Sequence, residues 1–124
     1  MRYYKYFFST LALVFVIACH QAPIMNIEST PIVTTSPTTT KIENAIQKAA
    51  LSLNWKPRKV APGLIEATLF VRSHKAVVEI PYSTKTYSIR YKSSENLKYD
   101  GKTIHSFYNS WVQNLDRAIQ RELI

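Results

Sequence analysis

Hydrophobic and polar positions change period twice along this chain, and each period predicts a different element. Ile42, Ala45, Ile46, Ala49 and Leu53 recur every three or four positions, which is the spacing of one helix face. Thr40-Lys41-Ile42-Glu43 fits a capping box, with the Thr40 hydroxyl serving the Glu43 backbone N–H, so a helix is predicted to begin there. Pro57 sets its outer limit, and Trp55 is expected to close its core end. Period two takes over at Leu64: Ile65, Ala67, Leu69 and Val71 alternate with Glu66, Thr68, Phe70 and Arg72. After a reversal at Ser73-His74-Lys75, Ala76, Val78, Ile80 and Tyr82 alternate with Val77 and Glu79. A polar turn from Ser83 to Thr86 leads to Tyr87, Ile89 and Tyr91, alternating with Ser88, Arg90 and Lys92, so the pattern predicts three antiparallel strands. Helical spacing returns in Ile104, Tyr108, Trp111, Val112, Leu115, Ile119 and Leu123. Thr103 is the expected cap, and Arg117 and Arg121 suit the C-terminal end of the helix dipole.

Lys56 to Gly63, with two prolines, a glycine and the basic Lys56, Arg58 and Lys59, reads as a surface loop. Ser93 to Thr103 reads as a structured loop turning at Asp100-Gly101, with room for a short strand at Leu97 to Tyr99. Neither a half-apolar helix nor a half-apolar sheet can bury its face alone. The predicted fold is therefore α+β in the order α-β-β-β-α, a three-stranded antiparallel meander with both helices packed on one face. Glu66, Arg72, Glu79, Arg90 and Lys92 fall on the opposite face together with Phe70 and Val77; cross-strand ion pairs there are worth about 0–1 kcal/mol each, and the face reads as a solvated surface before a partner surface.

Ahead of this domain the periodicity disappears. Arg2 and Lys5 precede an apolar run from Phe7 to Ala18, the length of a secretory leader and too short for a bilayer span, which needs roughly 20 apolar residues. The run ends in Val16-Ile17-Ala18-Cys19, which resembles the lipobox of bacterial lipoproteins. That resemblance implies cleavage before Cys19, a diacylglyceryl group on its thiol, and membrane attachment through that lipid. His20 stands where Asp would signal inner-membrane retention in Gram-negative lipoproteins, so the same resemblance implies the outer membrane, facing the periplasm. From His20 to Thr39 there are three prolines, many Thr and Ser, no glycine and only Glu28 as a charge. Such a composition predicts a disordered tether, residues 19–39, between a leader, residues 1–18, and a domain, residues 40–124. The rival reading, an edge strand over Ile24 to Val33, is disfavoured because Pro23 and Pro31 bracket it.

Charge narrows the partners. Sixteen Lys and Arg against eight acids give +8, and losing Arg2 and Lys5 with the leader leaves +6. A basic domain in an envelope favours phospholipid headgroups, lipopolysaccharide or cell-wall polymer, while nucleic acid is the least accessible of the anions. One cysteine excludes an internal disulfide and a Cys-based zinc site. No G-x-S-x-G, paired-acid or H-x-x-x-H motif is present, and no metal or cofactor is implied.

Two groups of residues remain as candidate binding sites. Asn96, Tyr99, His105 and Asn109 can meet at the start of the last helix as a polar pocket or, with less machinery, as hydrogen bonds pinning a loop to a helix. His74 with Arg72 and Lys75 can hold a phosphate or carboxylate at the hairpin tip or form a plain solvated turn, and Lys56, Arg58 and Lys59 concentrate positive charge in their loop. The strings Pro62-Gly63-Leu64-Ile65, Arg72-Ser73-His74-Lys75-Ala76, Tyr87-Ser88-Ile89-Arg90-Tyr91, Asn96-Leu97-Lys98-Tyr99 and Tyr108-Asn109-Ser110-Trp111-Val112 resemble a group of small, uncharacterised proteobacterial lipoproteins. The resemblance spans residues 42–120 and includes Ser94, His105 and Trp111. It implies an envelope setting and no activity. The reading is a lipid-anchored envelope protein, a non-enzymatic module contacting an envelope protein or anionic polymer; the alternative is a small-ligand or enzymatic domain using the polar pocket near His105.

Overall fold

The computed structural model describes residues 20–124, so the expected leader and Cys19 lie outside the described residues. Two short strands come first, β1 (Gln21–Pro23) and β2 (Ile27–Pro31). They are followed by helix α1 (Thr39–Ser52), strands β3 (Lys56–Ala61), β4 (Leu64–Val71), β5 (His74–Pro81), β6 (Thr86–Glu95) and β7 (Thr103–His105), and helix α2 (Ser106–Glu122). The large sheet has the order β2-β6-β5-β4-β3 with every neighbour antiparallel, and β1 pairs with β7 separately. No helix among the described residues is long and apolar enough to cross a membrane.

The alternation over residues 64–91 appears as a half-buried sheet. Ile65, Ala67, Ala76, Val78, Ile80 and Ile89 are fully buried on its inner face. They join Ile42, Ile46 and Ala49 of α1 and Tyr108, Val112, Leu115 and Ile119 of α2 in one core. The α+β class therefore holds, but the sheet has five strands rather than three. Residues 56–63 are not a loop: β3 pairs with β4 from Lys56↔Thr68 to Ala61↔Leu64. Pro57 fits there because β3 is an edge strand, where an N–H facing away from the ladder has no strand to bond. Gly63 turns the chain into β4 with φ +75, and an added Cβ would meet the Tyr82 carbonyl oxygen at 3.1 Å, which reserves the position for glycine.

The tether requires the larger correction, since β1 and β2 both lie within residues 19–39. Ile27↔Ile89, Thr30↔Tyr87 and Pro31↔Thr86 add β2 to the free edge of β6. The rival edge-strand reading is the one the fold adopts, with Pro31 as the last residue of an outermost strand and Pro23 as the last of β1. The Ile24 and Ile32 amides donate to the Lys102 and Lys85 carbonyls, so backbone pairing supplies what the composition lacks in apolar area.

Helix boundaries shift slightly. Thr38, not Thr40, caps α1, its hydroxyl accepting from the Lys41 N–H at 3.1 Å. Glu43 instead accepts from the Tyr82 hydroxyl at 2.7 Å and pairs with Lys59 at 3.1 Å. At α2 the cap is His105, the last residue of β7, and not Thr103, which opens that strand opposite Pro23. No strand forms at residues 97–99; Leu97 is buried there, and its carbonyl accepts from the His105 N–H at 2.8 Å.

Candidate functional site

The β4–β5 hairpin turn and the first turn of α2 meet at one end of the molecule, where all three histidines of the chain converge. Val71 pairs with His74 to close a two-residue turn, with Arg72 at φ 55, and this fixes His74 beside α2. The His74 Nδ1–H donates to the Asn96 carbonyl at 2.6 Å, and the Asn96 side chain donates to the Ser73 hydroxyl at 2.6 Å. Asn96 thus ties the loop after β6 to the hairpin tip from both of its polar groups.

His105 Nδ1 accepts from the Phe107 N–H at 3.1 Å, capping α2. Its ring lies 6.2 Å from both His20 and His74 and 4.2 Å from Phe107. Burial, followed by the neighbouring charges of His20, His74 and Lys98, holds the His105 imidazole below its ordinary pKa. The arrangement is poor for a metal: a neutral His105 that accepts at Nδ1 carries its proton on Nε2 and has no lone pair left there. Among the described residues no group of three His, Cys, Asp or Glu is placed to hold a metal ion.

Phe107, half exposed, and the partly buried Trp111 complete this end, with His74 6.2 Å from each ring. Together with Val71 and Arg72 they line an open groove of about 260 Å³. Trp111, expected to pack in the core, packs only against its edge. The backbone enters through the same place, where the Ser106 N–H donates to the His20 carbonyl at 2.5 Å.

The residues proposed for a polar pocket are divided among internal contacts. Asn109 accepts from the Met25 N–H at 2.9 Å and donates to the Pro23 carbonyl at 2.8 Å, which fastens the N-terminal segment to α2. Tyr99 stacks on Tyr91 with ring centroids 4.3 Å apart. Asn96 serves the hairpin, and His105 serves its own helix.

Lys56, Arg58 and Lys59 lie on β3, the edge strand at the other side of the sheet from β2. Arg58 pairs with Glu66 at 3.5 Å and Lys59 with Glu43 at 3.1 Å, so part of the expected positive charge is neutralised locally. The carboxyls of Glu43 and Glu66 are held below the usual carboxylate range, Glu43 first by the Tyr82 hydroxyl and Glu66 first by Lys92. Lys56 and Lys75 place their ammonium groups 5.5 and 5.6 Å from the centre of the Phe70 ring. Phe70 is 56 % exposed, and a shallow depression of about 480 Å³ runs past it. Phe70 falls on the outer sheet face as its alternation predicts, but its lysine neighbours are not visible in the sequence, since cross-strand register brings Lys75 beside it; nor does the sequence place His20 at the histidine end. Comparison with protein-family models, curated proteins and solved structures finds no match for this chain.

Proposed function

We propose that the chain is a lipid-anchored protein of the cell envelope, held by a lipid on Cys19 at the outer membrane facing the periplasm. In this reading it acts without catalysis, as a module contacting an anionic envelope polymer or an acidic envelope protein. The anchor rests on the Val16-Ile17-Ala18-Cys19 pattern behind an apolar run. The observation that carries the contact is Phe70 of β4, an exposed aromatic flanked by Lys56 of the edge strand β3 and Lys75 of β5. An exposed aromatic ring with two cations held close to it suits an anionic chain that offers apolar surface between its charges.

Retention of the protein on anionic envelope fractions tests this. Lys56→Glu with Lys75→Glu should weaken retention more than Arg58→Glu, because Arg58 already has Glu66 as a partner. Added salt should reproduce the loss, since exposed charges are screened within about 8–10 Å. Equal retention of all variants at low and high salt contradicts the reading.

A further inference from the structure

We infer that the end of the molecule carrying His20, His74, His105, Phe107 and Trp111 is a membrane-docking face, seated on the bilayer into which the Cys19 lipid inserts. This rests on the proposed lipidation of Cys19. His20 is the residue next to Cys19, and successive α-carbons lie about 3.8 Å apart, so the lipid leaves the chain at the rim of this face. No slack separates the two. The His20 carbonyl accepts from Ser106, Gln21 to Pro23 pair with β7, and Asn109 holds Pro23 and Met25. Lifting the domain off the headgroups would require stripping β1 from β7.

The chemistry of the face agrees with its position. Phe107 is half exposed and Trp111 partly so, and they sit side by side with ring centroids 6.1 Å apart. Aromatic rings of this kind settle at the headgroup level, with an apolar body and, for Trp, a polar N–H. Arg72 lines the same groove and Lys98 lies near His105, and both are complementary to lipid phosphates. The lipid confines the face to the surface, so weak aromatic and basic contacts suffice to orient it.

Trp111 reports the contact directly, because Trp55, the other tryptophan, is buried in the core. The full chain, purified with its lipid, is incorporated into phosphatidylethanolamine–phosphatidylglycerol vesicles whose acyl chains carry bromine, and Trp111→Phe supplies the Trp55 background. Bromine should remove roughly half or more of the Trp111 emission, and Phe107→Ser should reduce that quenching about two-fold while leaving the urea midpoint unchanged. Mass spectrometry and vesicle co-sedimentation are read on the same sample. An unmodified Cys19 in protein that does not sediment overturns both the anchor and the docking. A lipidated, sedimenting protein whose Trp111 is unquenched overturns the docking alone. So does a Trp111 shielded from aqueous acrylamide yet untouched by bromine, which identifies a protein occupant.

Discussion

Asn109 grips the Met25 backbone across 84 residues of sequence, accepting its N–H at 2.9 Å, while its own amide donates to Pro23 at 2.8 Å. One side chain on α2 therefore satisfies backbone groups on both sides of Ile24 and holds β1 in register. Removing it leaves a partly buried donor and an exposed acceptor without this partner. Asn109→Ala should lower stability by about 1–3 kcal/mol, and Asn109→Asp, which keeps the acceptor and loses the donor, should fall between the two. Urea unfolding of the three proteins checks the order.

The two tryptophans should respond unequally. Trp55 is 1 % exposed at the end of the core beyond α1, so Trp55→Ala should cost about 3–5 kcal/mol. Trp111 lies against the core edge with its ring partly in water, so Trp111→Ala should cost about half that or less, in proportion to the apolar area it withdraws from solvent. Equal losses by thermal or urea unfolding would place Trp111 in the core.

Tyr108 supplies a test of opposite sign. Its ring is fully buried against Tyr91, while its hydroxyl has no hydrogen-bond partner among the described residues. Burial raises its pKa, the expected consequence of withholding water from a phenol. Tyr108→Phe should leave stability unchanged or raise it by up to about 1–2 kcal/mol, because a desolvated hydroxyl is removed without disturbing packing. A clear loss in the urea midpoint would show that the hydroxyl has a partner.

What was legible in the sequence was what one buried face writes into it. Residues 64–91 and 106–123 alternate or recur because half of each element meets the same core, and those elements form close to where the pattern puts them, although Ile104 falls in β7 and the reversal is Arg72-Ser73, with His74 and Lys75 already in β5. Edge strands carry no such signature. β1, β2 and β3 bury little and are held by backbone pairing, so Pro23, Pro31 and Pro57 read as breakers although all three are compatible with an outer strand. Thr38, Thr39 and Thr40 offer three equivalent caps, and only the chain path selects the first. At the histidine end, His74 and His105 were visible singly. Their meeting with His20 depends on β1 lying along β7, a contact more than 80 residues apart.

The same end should make stability depend on pH. His105 has a folded pKa below its unfolded value, so between the two the unfolded chain binds the proton more readily. Its contribution is full above the unfolded value of about 6.5 and is lost as pH falls through the folded one. The groups facing it, His20, His74 and Lys98, are basic and reinforce the direction. Protonation also removes the Nδ1 acceptor that caps α2. His105→Asn, which keeps a capping oxygen and does not titrate, should flatten the decline in urea midpoint between about pH 7 and 5. A decline as steep as in the unmodified protein would assign it to other groups.

Amide hydrogen exchange along residues 20–33 is the most direct measurement of whether the fold begins at the residue after Cys19. Ile24, Ser29 and Ile32 donate their N–H groups to the Lys102 carbonyl, the Ser88 hydroxyl and the Lys85 carbonyl. In the full chain these three amides should exchange roughly 100-fold or more slowly than in an unstructured peptide, corresponding to local opening at about 3 kcal/mol. Exchange at the unstructured rate at all three would restore a free tether and, with it, a domain standing away from the membrane.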